Sequence, residues 1–329
     1  TSVGLYFQSQ TCGNTFNVVL PKISGPIDVS QLCPSQMPYN TCNGSNIHPG
    51  TQEYIYSATV QMPAECNDWR IYNSVCCRNS AIDNIVSPGS QGWYIEATMD
   101  NTNNQCNNSP QYSNNPILYG CVDQPLCFNH GATDLDSDSL SFEMVVPKES
   151  GAVGGLSLSY ASGFSLNNPM WSSTPITFDQ NTGEICLTPS SVQQGVIAIK
   201  TYEWKKIAGV YVNTSYSIRE MQMIIVGNCS SVYAGDPIDT ITVNTGTLID
   251  TMTVGICEGQ TVDFDMLVTD PNPMTNYVIT TNAAIATPNA TVTMTGSNPV
   301  NLHYNWATTP GSAGQYLVSL TVDNTDCPI

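Results

Sequence analysis

Asp134, Asp136 and Asp138 stand at alternate positions in the run Asp134-Leu135-Asp136-Ser137-Asp138-Ser139-Leu140. Three carboxylates at that spacing can turn oxygens toward one point, and hard oxygen ligands of this kind suit Ca²⁺. Glu143, in the apolar stretch that follows, completes a candidate ligand set of Asp134, Asp136, Asp138 and Glu143. The run is not an EF-hand: the sixth loop position is Ser139 rather than glycine, and the twelfth is Val145 rather than glutamate. Left uncompensated, the carboxylates would repel one another and raise each other's pKa, so a cation or hydrogen-bond donors are expected beside them. The bland alternative is an acidic turn leading into a strand, with no ion. Asp270 and Asn272 form a weaker copy.

Other chemistry is thin. The chain has no G-x-S-x-G, H-E-x-x-H, P-loop or dinucleotide fingerprint. Its three histidines, His48, His130 and His303, are not spaced with cysteines as zinc ligands would be. The expectation is a protein that is not an enzyme. Paired carboxylates for glycoside hydrolysis need not be near in sequence and stay open as an alternative. Five tryptophans and 16 tyrosines could contact sugar, Trp93 and Trp171 being the candidates. Most aromatics of a β protein are core.

Thirteen cysteines in 329 residues point to an oxidising compartment, and so to an extracellular or cell-surface protein. Eight Lys and Arg face 26 Asp and Glu, a formal net charge of -18. That balance argues against duplex nucleic acid and anionic lipid as partners, since both need a positive surface. No apolar run approaches the ~18 residues that span a bilayer, so direct membrane insertion is not expected. No signal peptide opens the sequence, and 325–329 reads as a cut inside a longer polypeptide.

The elements that must position these residues are strands. Alternating stretches such as 54–60, 197–202 and 315–322 recur between Gly, Pro, Asn and Asp punctuation, and no 15-residue window carries a helical period. Residues 197–226 read as two long strands around a turn at Ala208-Gly209. The fold class expected is all-β: tandem Ig-like or cadherin-like β-sandwiches stapled by disulfides. Breaks near Asn114-Asn115-Pro116 and in 230–237 divide the chain into a Cys-rich sandwich at 1–117, a cadherin-like sandwich with the acidic turn at 118–231, and an Ig-like or PKD-like sandwich at 232–329.

Position within each module suggests Cys257–Cys327 in the third, and pairing among Cys121, Cys127, Cys186 and Cys229 in the second. Seven cysteines remain in the first, an odd number. Cys76 and Cys77 are adjacent, and each is expected to pair elsewhere because a bridge between neighbours is strained.

The acidic turn resembles the D-x-D-x-D turn of cadherin-like sandwiches, where an ion rigidifies a loop near a domain junction. A wider resemblance rests on Cys76-Cys77-Arg78-Asn79-Ser80-Ala81-Ile82, Tyr94-Ile95-Glu96-Ala97, Cys106-Asn107-Asn108-Ser109-Pro110, the segment 129–140, Phe178-Asp179-Gln180-Asn181-Thr182-Gly183-Glu184, and Ile218-Arg219-Glu220-Met221-Gln222 ending at Cys229. In this order the segments resemble the head region of large Bacteroidota surface proteins exported by type IX secretion, the gliding-motility-associated, PKD-like or SprB-like adhesins. Residues 230–329 resemble the Ig-like repeats that follow such heads. The resemblance implies a surface filament of tandem sandwiches that attaches to surface glycans or abiotic substrates. Its other partners would be neighbouring domains of the same long chain or surface motility machinery. The alternative is a carbohydrate-binding module of a secreted multidomain enzyme. Two departures stand out: the family's glycine in the acidic turn is Ser137 here, and a second cysteine is missing near Thr201. The phylum's O-glycosylation pattern would place sugars at Ser139, Thr240 and Thr251. The adhesive tip is expected in 1–117, whose loops are Asn-rich and pinned by cysteines.

Overall fold

The computed structural model describes residues 2–32, 34–151, 153–227, 238–250, 252–269 and 277–324. Nearly every regular element there is a strand; one helical turn, Ala283–Ala286, and three short 3-10 segments are the exceptions among the described residues. The chain is all-β, in several sheets, and disulfides join Cys12 to Cys66 and Cys127 to Cys186.

A long hairpin organises the first two thirds. Gln193–Ile207 and Val210–Val226 pair antiparallel, turning at Ala208 and Gly209 with φ of 50° and 86°. Two successive positive φ angles give a tight turn whose twist matches that of the strands. The middle of the first strand, Val196-Ile197-Ala198-Ile199, is buried on both sides. Ile197 and Ile199 enter a core with Phe128, Phe142, Ile185 and Met221. Val196 packs the opposite way, onto Ile82, Ile85 and Leu158. A strand covered on both faces has no polar side to show, which is why this stretch is apolar without alternation. The first of these cores is closed by a small sheet of Thr177–Phe178, Ile185–Leu187 and Leu126–Phe128, where Cys127 lies opposite Cys186.

The hairpin also supplies the second and third strands of a larger sheet. In spatial order its strands are Ser139–Val145, Gln193–Ile207, Val210–Val226, Gly92–Met99, Trp69–Cys76, Ser2–Ser9, Asn14–Asp28 and Gln52–Tyr56. Hydrogen bonding therefore crosses the expected border at 117/118. Ser217 registers with Ala97, and Ile117–Cys121 lies parallel to Gln222–Val226. Side chains reinforce this seam. Arg78 grips Glu220 through both terminal nitrogens and donates to Gly92 O (2.9 Å) and Lys148 O (2.7 Å). Glu96 accepts from Tyr94 Oη (2.7 Å), Arg70 Nη1 (3.0 Å), Tyr216 Oη (3.0 Å) and Lys148 Nζ (3.1 Å). Leu32 packs with Ile117, Tyr119 and Ile224, so an apolar cluster spans the border as well.

Each link from Ser2–Ser9 through Trp69–Cys76 and Gly92–Met99 to Val210–Val226 is antiparallel. Three reversals leave the first and last of these strands antiparallel to each other. The chain thus enters and leaves residues 2–226 at the same end of the sheet.

The third module is a separate sandwich. One sheet has the order Ile238–Thr245, Thr261–Val268, Val300–Ala307, Thr291–Gly296, and Tyr277–Thr281 pairs with Leu320–Asn324 in the other. Lettered along the chain, A, B, E and D face C and F, which is the Ig arrangement. Val262, Met266, Leu302, Tyr304 and Trp306 point inward from the larger sheet and meet Ile279 and Leu320 of the smaller. This module rests on the second. Leu317 packs against the core around Ile197, and Thr321 Oγ1 donates to Asn114 Oδ1 at 3.2 Å. Gly131 (φ 61°) sits at this contact, where a Cβ would strike Ser113 Oγ and crowd Ser319 Oγ.

Three outcomes are expected. Arg78→Ala leaves the Glu220 carboxylate buried without its partner and lowers stability by about 3–5 kcal/mol in chemical denaturation, whereas a paired Arg78→Met/Glu220→Met change costs far less. Removing the Cys127–Cys186 bridge by double alanine substitution, with a separation of 59 residues, costs about 4 kcal/mol by loop-closure entropy. Burial alone would raise the Glu96 pKa, but the Tyr94 and Lys148 hydrogen bonds and the Lys148 and Arg70 charges outweigh it and hold it below 4.5. A depressed carboxyl contributes stability that is complete above its ordinary pKa and lost as pH falls through the folded value. Glu96→Gln therefore flattens the acid limb of a plot of stability against pH, measured below about pH 4.5.

Candidate functional site

The acidic turn opens the strand Ser139–Val145, which pairs with Gln193–Ile207 so that Leu140 lies opposite Glu203 and Ser139 opposite Trp204. The long strand's register shifts between Glu203 and Trp204. This arrangement brings carboxylate oxygens of Asp134, Asp138 and Glu203 all within 4.8 Å of one another. Asp138 is 8% exposed and Glu203 2%. Within the turn, Asp134 Oδ1 accepts from the backbone N of Asp136 (2.8 Å) and of Asp138 (3.2 Å). Ser137 takes φ 63°, the left-handed conformation that glycine adopts most cheaply.

Two members of the expected ligand set fall outside this group. Asp136 faces away and binds Asn108, accepting from its backbone N and from Nδ2 at 2.9 Å. The positive φ at Ser137 breaks the alternation that would have kept three carboxylates on one side. Glu143 accepts from Tyr202 Oη at 2.6 Å. It stands five residues past Asp138, and an odd separation along a strand points to the opposite face. Glu203, absent from the expected set, takes their place. Its signal was parity: it continues the inward series Ile197, Ile199, Thr201 on a strand whose inward residues are otherwise uncharged.

Burial pushes the Glu203 carboxyl up to about 8; the Asp134 and Asp138 charges add to this, against a hydrogen bond from Asn107. Burial likewise raises Asp134 and Asp138, the latter opposed by the Lys205 charge. Glu203 accepts from Ser215 Oγ and from Asn107 Nδ2 at 3.0 Å. Lys205 Nζ lies 3.5 Å from Asp138 Oδ2, but its hydrogen bonds go to Asn104 Oδ1 (2.6 Å) and Asn107 Oδ1 (3.3 Å). Asp134 Oδ2 and Asp138 Oδ2 are buried and accept no hydrogen bond. Asp134 and Asp138 also line a cavity of about 30 Å³ whose far wall is Gln315 and Tyr316 of the third module.

Among the tryptophans, Trp69 and Trp306 are core, and Trp93 and Trp204 are half-buried. Trp171 is 45% exposed, with Phe164 stacked on one face at 4.9 Å between centroids. Cys76 and Cys77, expected to pair elsewhere, are bonded to each other; the peptide between them is cis and their Cα atoms lie 3.1 Å apart. Cys127–Cys186 falls among the pairings open for the second module. Cys121 is disulfide-bonded as well, while Cys229 and Cys327 lie outside the described residues. Cys42, Cys106 and Cys257 form no disulfide among the described residues. Of the glycosylation candidates, Thr240 is exposed, Ser139 is half-buried, and Thr251 lies outside the described residues, as do Asp270 and Asn272. The imidazoles of His48, His130 and His303 meet Gln36, Arg219 and Asp265.

No family model matches the chain, and no curated protein matches it. Solved structures overlap it in part, among them the following two. A chimeric titin Z1Z2-Z1Z2 tandem carrying an exogenous GRGDS peptide from fibronectin shares 9% identity, over 66% of this chain and 97% of that one, with a TM-score of 0.18. The N-terminal four Ig domains of Dscam1 isoform 7.44 share 10% identity, over 71% of this chain and 53% of that one, also with a TM-score of 0.18. Overlays that loose carry no fold or function across; the Ig arrangement of the third module rests on its own strand order.

Proposed function

We propose that this chain is an attachment segment of a large secreted adhesin on a bacterial cell surface, with residues 2–226 as a compact head carried on the Ig-like third module. One observation carries this reading: the chain enters and leaves the head at the same end of a shared sheet. A unit built that way presents its far end to the surroundings. The disulfides support an extracellular setting, and the resemblance of the sequence segments to SprB-like adhesins is the ground for proposing export by type IX secretion and a role in gliding. Surface glycans or an abiotic substrate are the partners proposed. The action proposed is binding rather than catalysis.

The test is adhesion of beads coated with purified chain, or of cells displaying it, with and without the intact head. Attachment that survives deletion of residues 2–226 would refute the assignment.

Trp171 favours a second reading, a carbohydrate-binding module. An exposed indole with its other side backed by Phe164 offers a flat apolar surface to a sugar ring. Here a glycan array is expected to show selective binding that Trp171→Ala abolishes and Trp93→Ala, at a half-buried position, weakens less.

A further inference from the structure

We propose that Asp134, Asp138 and Glu203 bind a Ca²⁺ ion at the seam between the second and third modules. The inference does not depend on the attachment role. It starts from a buried oxygen that accepts no hydrogen bond: Asp138 is more than nine-tenths buried, and its Oδ2, with Asp134 and Glu203 beside it, has only the Lys205 ammonium at 3.5 Å. A carboxylate oxygen withdrawn from water and left unbonded is costly unless something positive meets it. Lys205 pairs with Asp138 at 3.5 Å, beyond a good hydrogen bond, while its shorter bonds go to Asn104 and Asn107, so one ammonium faces three carboxyls.

Geometry and charge agree on what is missing. Ca²⁺ holds oxygens at about 2.3–2.6 Å, so two ligands of one ion are at most about 5 Å apart. The three carboxylate oxygens meet that limit pairwise. Metal ligands bind deprotonated, and with all three carboxyls ionised the group and its one ammonium carry two negative charges, the charge of one divalent cation. All ligands are oxygen, which favours Ca²⁺ or Mg²⁺ over softer metals. Three carboxylates from two separate elements suit the irregular, higher-coordinate shell of Ca²⁺ better than the compact octahedron of Mg²⁺, which prefers to keep its water. The cavity lined by Asp134 and Asp138 leaves room for a water to complete the shell.

The location gives the ion a consequence. Asp134 and Asp138 belong to the loop on which the third module rests, and Gln315 and Tyr316 of that module form the opposite wall. An ion there fixes the loop against Gln193–Ile207 and presents a settled surface to the third module.

The experiment uses the intact chain, purified in chelator. Terbium is added as a luminescent Ca²⁺ analogue excited through Trp204 and Tyr316, and Ca²⁺ is then titrated in competition. Sensitised emission that Ca²⁺ quenches, with half-effect in the range of about 10⁻⁵–10⁻³ M, is expected, together with a Ca²⁺-dependent rise in melting temperature. Glu203→Gln and Asp138→Asn should each weaken binding at least tenfold, an effect of the size set by about 1.4 kcal/mol. Asp136→Asn and Glu143→Gln should bind as wild type. If a ligand variant does not fold, the wild-type titration still decides. An unchanged melting curve between chelator and about 5 mM Ca²⁺, well above the dissociation constants of extracellular modules, with no sensitised emission, would overturn the proposal. Binding lost in Glu143→Gln but kept in Glu203→Gln would overturn the ligand assignment.

Discussion

Burial of the middle of Gln193–Ile207, at 196–199, on both faces is the constraint from which most of the molecule follows. A strand with two covered faces needs a layer on each side and a neighbour at each edge. The small sheet stapled at Cys127–Cys186 supplies one layer, and residues 82–85 with Leu158 supply the other. Val210–Val226 and Ser139–Val145 supply the edges. The second of those edge strands brings the acidic turn with it, so the placement of Asp134 and Asp138 is a by-product of how the core is sealed.

Much of this was legible in the residues. Period-two alternation, the cysteine density and the turn at Ala208-Gly209 gave strands, disulfides and the long hairpin. The shared sheet was not legible. Its seam depends on pairings such as Ser217 with Ala97 and Arg78 with Glu220, which lie far apart in the chain. No local pattern announces such contacts. Asn114-Asn115-Pro116 reads as a linker by composition, yet Asn114 accepts from Arg219 Nη2 at its carbonyl and from Thr321 at its side chain, joining three parts of the chain.

The candidate metal group shows the same division. Local spacing picked out Asp134 and Asp138, because both belong to one turn. It also picked Asp136 and Glu143, which a left-handed residue and strand parity send elsewhere. Glu203 is 65 positions beyond Asp138 and reaches it only through strand register. The vicinal bridge Cys76–Cys77 failed for the opposite reason: two neighbours were judged too close, and the cis peptide between them was not a conformation the sequence signalled.

The shared end at which the chain enters and leaves the head has a mechanical meaning. Tension applied between residue 2 and residue 226 acts across the strands, not along them. It would open the ladder one rung at a time, as a zip opens, rather than shear many hydrogen bonds together. Resistance to pulling in such a unit comes from its side-chain rivets, Arg78 on Glu220 and the donors around Glu96, more than from its length of sheet. A string of such heads would make a weak tether, whereas the A and F strands of the Ig-like module lie in opposite sheets and leave that module free to take load of a different kind.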